Sequence, residues 1–286
     1  MDQGSTSKTG FTIRQSSFPK YTRSENTMRL SSTPWIGTGL THQGQVRTSN
    51  QDAFAIDNQL GLWIVADGMG GYTGGDIASK LAVGSILDHV RAATTPWPSS
   101  DNQLQHATTV LTHAITAGKT TIQERIAEVP ELSSMGTTVV AAWLCPLPAP
   151  SLAIAHVGDS RAYVVRNEQL VALTTDHSLV QQLMTEGHMT LEESWHHPKR
   201  NVIVRALGLD YPSTPDIALH PLGPHDIVLL CTDGLTKMCS EEDILSVILE
   251  SKDSPEVTCQ RLIAQANLAG GKDNTTVLLI TPNTLP

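Results

Sequence analysis

Apolar and polar positions along most of this chain fall into short blocks whose period switches between about 2 and about 3.6. Ala53–Asp57 and residues 60–66 read as strands joined at Asn58-Gln59, a hairpin signal. Val83, Ile86, Leu87 and Val90 recur at i, i+3, i+4 and i+7, which predicts an amphipathic helix. Pro96 and Pro98 break the pattern before a longer helical stripe of Leu104, Ala107, Leu111, Ile115, Ile122 and Ile126. Residues 137–144, 152–157 and 162–165 return to strand patterning, and an Asn167-Glu168 turn leads into a strand at 170–173. Residues 176–205 are polar and histidine-rich, with two short helical signals, the second opened by a Thr190-x-x-Glu193 capping box. Ile227–Cys231 and residues 276–280 read as strands. Between them lie helices opened by Ser240-x-x-Asp243 and by Ser254-Pro255, the latter closed by Gly270.

Strands therefore come in hairpin runs and helices in consecutive pairs, which disfavours a Rossmann-type parallel sheet and favours antiparallel sheets covered by helices. Residues 1–34 carry no hydrophobic period, are rich in Ser and Thr and have a net charge of +3, so they read as a disordered basic tail. Residues 35–286 form the expected folded domain, with a net charge of −12. The whole chain, at −9, lacks the basic face that a nucleic-acid binder needs. No apolar run approaches the ~18 residues of a membrane span, and the first thirty residues contain no secretory h-region. Four cysteines without a CxxC pair read as buried free thiols in a reducing cytoplasm.

Four stretches share one design. Apolar strands end in Asp67-Gly68-Met69-Gly70-Gly71, in Gly158-Asp159-Ser160-Arg161 and in Thr232-Asp233-Gly234, and Lys272-Asp273-Asn274 precedes the last strand. A carboxylate at the rim of a buried strand must find donors, a cation or a proton. A single Asp-Gly is ordinary turn chemistry. Several converging carboxylates repel one another and call for hard cations, and oxygen-only ligands select Mg²⁺ or Mn²⁺ over zinc. Arg47, in Arg47-Thr48-Ser49-Asn50-Gln51-Asp52, is either a surface arginine or a bidentate grip for a phosphate.

In this order, RTSNQD, DGMGG, GDSR, TDGLT and KDNTTV, with HPKRNVIVRALG before the TDG motif, resemble the metal-dependent protein phosphatases of type 2C, in particular bacterial members. The likeness runs from about Ile36 to Pro282. It implies an α+β fold, a four-layer α-β-β-α sandwich of two antiparallel sheets flanked by helix pairs. It implies two core Mn²⁺ or Mg²⁺ ions, with Asp67 bridging both, the Gly68 carbonyl on the second, and Asp233 and Asp273 on the first. Asp52 would act through water, Asp159 would help hold a third, looser ion, and Arg47 would orient the phosphate, with residues 176–205 as a flap. The implied reaction is hydrolysis of phosphoserine and phosphothreonine on proteins by a hydroxide that the two ions activate, with Arg47, Asp67 and Asp159 as the catalytic set. Implied too are a cognate Ser/Thr kinase as antagonist, a cytoplasmic monomer, and no nucleic-acid or membrane-spanning role.

Gln51 stands where animal members of the family have a metal-binding Glu, and Met69 where they have a His able to protonate the leaving group, so the general acid is open. His188, His196 and His197 read as turn or solvent residues rather than ligands, and Arg161 as the partner of a carboxylate. Asn274 should orient the Asp273 loop, and residues 134–138 read as the start of a strand with a close glycine approach.

Overall fold

The computed structural model describes residues 35–70, 74–93, 97–98, 102–145, 149–208, 210, 212–252 and 254–283. The expected tail, residues 1–34, together with Gly71 and Pro96, lies outside them.

In chain order, β1 (Trp35–His42) precedes the hairpin β2 (Ala53–Asp57) and β3 (Leu62–Ala66), a two-residue strand β4 (Gly68–Met69), and the helix pair α1 (Gly75–Ala92) and α2 (Gln103–Glu128). Then come β5 (Gly136–Thr137), β6 (Val139–Cys145), β7 (Ser151–Val157), β8 (Arg161–Arg166) and β9 (Gln169–Ala172). Short helices α3 (Leu179–Thr185) and α4 (Leu191–His196) follow, then β10 (Asp216–Pro221) and β11 (Ile227–Cys231). The chain ends with α5 (Asp233–Thr236), α6 (Glu241–Ser251), α7 (Pro255–Leu268) and β12 (Thr275–Pro282). One antiparallel sheet has the order β1-β12-β11-β8-β9, the other β10-β7-β6-β3-β2, and β4 pairs with β5. The α+β sandwich expected from the sequence is what forms.

Parity along the strands assigns every layer. In β6, Val140, Ala142 and Leu144 enter the core between the sheets with Trp63, Val65, Val228, Leu230, Leu278 and Ile280. Val139, Ala141, Trp143 and Cys145 face the other way, into the cluster formed with α1 and α2. Leu229, Cys231, Val277 and Leu279 meet α6 and α7 on the far side. Helices thus cover both outer faces, which is why these strands read as unbroken apolar runs. All four cysteines are buried free thiols, as expected.

Several boundaries differ from the sequence reading. The Asp57 carboxylate accepts the N–H groups of Gln59 (3.1 Å) and Leu60 (2.9 Å), and Gly61 takes φ +66°. The hairpin turn therefore covers residues 58–61, and the second strand begins at Leu62 rather than at 60. Leu104, placed on the buried stripe of α2, is 47% exposed, while Ala107, Leu111, Ile115 and Ile122 are fully buried. The strand expected at 137–144 is split at Thr138, where the side chain turns to Ser160 (Oγ1 to Oγ 2.7 Å). The Asn167-Glu168 turn holds with both residues at positive φ, 51° and 58°, the hairpin geometry that matches strand twist. Both capping boxes, at Thr190/Glu193 and Ser240/Asp243, are present.

The register brings the functional motifs to one end of the sandwich. Val65 pairs with Val140, Val139 with Val157, and Cys231 with Val277. The segments after β3, β7 and β11 and before β6 and β12 consequently share a rim.

Candidate active site

Asp67 follows the last residue of β3, and its backbone is clamped. Its N–H donates to Thr138 Oγ1 (3.1 Å), and its carbonyl accepts from Thr137 Oγ1 (2.8 Å) and the Thr138 N–H (2.9 Å). The Gly68 N–H donates to the Gln51 carbonyl (3.2 Å), and a Cβ on Gly68 would overlap the carbonyl oxygens of Gly75 and Gln51. Only glycine fits there. Asp52 lies deeper, and its Oδ2 accepts from Thr276 Oγ1 (2.7 Å) and Thr232 Oγ1 (3.0 Å). Asp233 opens α5, with Oδ2 ion-paired to Lys237 Nζ. The Asp273 Oδ1 accepts the Asn274 N–H (2.8 Å), and its Oδ2 pairs with the Arg47 guanidinium (2.7 Å).

Asn274 braces this end. Its Nδ2 donates to the carbonyls of Gln43 (2.9 Å) and Ser49 (2.8 Å), and its Oδ1 accepts the Gln51 N–H (2.8 Å), so the Arg47–Asp52 segment is tied to the Asp273 turn. That matches the expected orienting task. Arg47, Asp67, Gly68, Asp159, Asp233 and Asp273 line one cavity of about 320 Å³, joined by Asn201 and Ile203 from the segment between β9 and β10. Asp52 does not line it but sits behind. Arg161 forks onto both Asp176 oxygens (2.7 and 2.8 Å), as expected of a carboxylate partner.

Electrostatics in this cavity is one-sided. Burial, followed by the charges of Asp52, Asp233, Asp159 and Asp273, holds the Asp67 carboxyl well above the usual carboxylate range. Burial also pushes Asp52 up to about 7; the threonine hydroxyls oppose the rise, and Asp233 and Asp273 add to it. Asp159 is likewise pushed to about 7 by burial and by Asp233, with Lys237 opposing. Asp52 Oδ1 and Asp233 Oδ1 are buried and have no hydrogen-bond partner. Orphaned carboxylate oxygens among mutually repelling carboxylates leave more negative charge than Arg47 and Lys237 offset, and the carboxylates and the Gly68 carbonyl offer oxygen donors. The residues fit hard divalent cations and give zinc neither a thiolate nor an imidazole.

His188, His196 and His197 are not part of this site. His188 lies 3.4 Å from Glu186, and His197 Nδ1 accepts the Lys199 N–H (3.2 Å). A different histidine matters to the framework: His177 Nδ1 accepts the Gly158 N–H (3.1 Å), its N–H donates to the Gly158 carbonyl (2.9 Å), and its ring stacks on His156. It ties the start of the segment between β9 and β10 to the backbone beside Asp159. Sequence reading passed over it, and also over Thr138, Thr232, Thr276 and Lys237. Thr232 and Thr276 stand close to Asp233 and Asp273 in the chain, Thr138 reaches Asp67 only through the fold, and Lys237 stands four residues after Asp233, a helical spacing hidden in a one-turn helix.

The protein phosphatase 2C family model matches residues 36–266. The chain belongs to the protein phosphatase 2C family. A serine/threonine phosphatase stp of Listeria welshimeri is 37% identical over 247 residues, covering 85% of this chain and 94% of that protein. The crystal structure of the Mycobacterium tuberculosis serine/threonine phosphatase PstP/Ppp superposes with a TM-score of 0.76 at 32% identity, covering 86% of this chain and 98% of that one. A PstP catalytic domain in complex with two manganese ions gives 0.71 at 31% identity, covering 86% and 97%. As a protein phosphatase 2C, the chain is a metal-dependent phosphoric monoester hydrolase. Its Gln51 supplies the backbone carbonyl that takes the Gly68 N–H and the Ser79 hydroxyl (2.6 Å), while Met69 sits in β4 opposite Gly136.

Proposed function

We propose that this metal-dependent serine/threonine protein phosphatase holds two divalent ions, Mn²⁺ or Mg²⁺, on the Asp67, Asp233 and Asp273 carboxylates and the Gly68 carbonyl. The observation that carries this reading is the pair of buried, unpartnered oxygens, Asp233 Oδ1 in a cavity ringed by carboxylates and Asp52 Oδ1 behind it. When bound, such ions polarise a phosphoryl oxygen and acidify water.

The rest is the work of the chain's own side chains. Asp52, held by two threonine hydroxyls through one oxygen, keeps the other to orient water at the back of the site. Arg47 is half-exposed over the cavity and tethered by Asp273, so its planar fork is available to the phosphate that arrives from solvent. Asn201 and Ile203 bring the flap region against the phosphate side. The rigid clamp on the Asp67 backbone keeps the geometry when charge develops.

The substrates in this reading are phosphoserine and phosphothreonine on proteins, placed there by a cognate kinase, and the enzyme acts in the cytoplasm as a monomer with a catalytic domain spanning residues 35–286. Among the described residues no helix is long and apolar enough to cross a membrane, and the thiols are unpaired, which supports it. The test is phosphate release from phosphoThr, phosphoSer and phosphoTyr peptides. Turnover of the first two should vanish in EDTA and return with Mn²⁺ or Mg²⁺. Full turnover in metal-free buffer, or a preference for phosphoTyr, would overturn the reading.

A further inference from the structure

The family resemblance assigns Asp159 to a third, looser ion, yet a cation of the chain already stands in the cavity that Asp159 lines. Lys237 follows α5 directly, its N–H donating to the Asp233 carbonyl (2.8 Å), so the two side chains lie one helical turn apart on the same face. The Lys237 ammonium is ion-paired with Asp233 Oδ2, and its charge acts on Asp159 and Asp67 as well. Lys237 lines the catalytic cavity together with Asp159 and Asp233. The oxygens of Asp233 are divided: Oδ2 takes the lysine, and Oδ1 is buried without a partner.

We infer that the Lys237 ammonium is the resident cation between Asp159 and Asp233, and that it keeps a third divalent ion out of this phosphatase. The physical reason is charge. An ammonium on a four-carbon tether neutralises one carboxylate without being recruited from solution, and a divalent ion entering beside it meets a like charge in a partly buried site. Asp159 then serves to hold the lysine in place. This inference rests on the two-ion reading above.

Mn²⁺ binding decides it, measured as ions per chain by calorimetry and by the loss of free Mn²⁺ signal in electron paramagnetic resonance, up to millimolar metal. The wild type should bind two ions. Lys237→Gln should bind one more, weakly, in the millimolar range, and adding Asp159→Asn to it should remove the gain. Lys237→Arg keeps the charge and should stay at two. Lys237→Met is a second neutral variant should Lys237→Gln fold poorly, with circular dichroism confirming the fold of each. Three ions in the wild type, or two in a folded neutral variant, would overturn the inference. Fewer than two in the wild type would bring down the two-ion centre itself, and this inference with it.

Discussion

Gly68→Ala is the sharpest probe of the site, because the added methyl has nowhere to go. Its Cβ would overlap the carbonyl oxygens of Gly75 and Gln51, and both belong to backbone. The Gly75 carbonyl lies in the first turn of α1, and the Gln51 carbonyl is held by the Ser79 hydroxyl, so neither yields easily. Restoring van der Waals separation moves the Gly68 peptide by about 1 Å, with a stability cost of about 1–3 kcal/mol for overpacking. In a domain of this size that lowers the melting temperature by roughly 2–12 °C, which leaves the enzyme folded at 25 °C. A 1 Å misplacement of a catalytic group costs on the order of 10²-fold in rate. The assay is phosphothreonine-peptide turnover against Mn²⁺ concentration, alongside a melting curve. Both turnover and the Mn²⁺ midpoint should worsen. Gly84→Ala is the matched control, since nothing lies within 4 Å of its Cβ in the middle of α1. It should stabilise by about 0.5–1 kcal/mol and leave kinetics alone. A Gly68→Ala enzyme that titrates with Mn²⁺ and turns over like the wild type would refute the argument.

Further outcomes follow from the same geometry. Asp233→Asn and Asp273→Asn should each lose on the order of 10²-fold or more in turnover while remaining folded, because relief of carboxylate repulsion offsets part of the lost interaction; a wild-type rate would remove that residue from the ligand set. Asp226→Ala should cost about 2 kcal/mol, discounted for the half-exposed Arg166, since it strips a buried carboxylate from Arg166 and the Gly223 N–H; the melting temperature should fall and turnover at 25 °C should not. Burial, with His156 and Arg205 adding to it against Asp216, lowers His177 to about 4 from the ordinary 6.5. Below 6.5 the unfolded chain takes up the proton first, so this contribution to stability is full above pH 6.5 and fades as pH falls toward 4, by about 3 kcal/mol in all. The stability gap between the wild type and His177→Asn, measured by denaturant melts at pH 7.5 and 5, should narrow at the lower pH; a constant gap would contradict the sign.

Much of this architecture was legible because β3, β6, β7, β11 and β12 bury both faces, so their apolar runs stand out and the aspartates at their ends stand out with them. β1 was not legible as a strand. Its Gly37 lies against the Trp63 ring and Gly39 against Phe54, so positions that would show alternation hold glycine and the aromatic contact comes from the other sheet. β10 pairs only with β7, at the sheet edge, and its half-buried alternation is too shallow to read. The Asp52 bracket was hidden for another reason. A threonine in a strand reads as β-propensity, and only the register of β11 on β12 brings Thr232 and Thr276 to one carboxylate. Lys237 was invisible because one turn of helix leaves no periodic trace.

The carboxylates come from different layers: Asp67 follows β3 in one sheet, while Asp233 and Asp273 flank β11 and β12 in the other. If Asp67 and Asp233 share a cation as proposed, that ion would be a rivet through the sandwich as well as a reagent. Whatever binds the folded chain and not the unfolded one adds to its stability as RT ln(1 + [L]/Kd), about 2.7 kcal/mol at a hundred times the dissociation constant. Metal supply would then set how long each molecule survives proteolysis as well as how fast it turns over, so scarcity of the ion would thin the population of this phosphatase along with its activity.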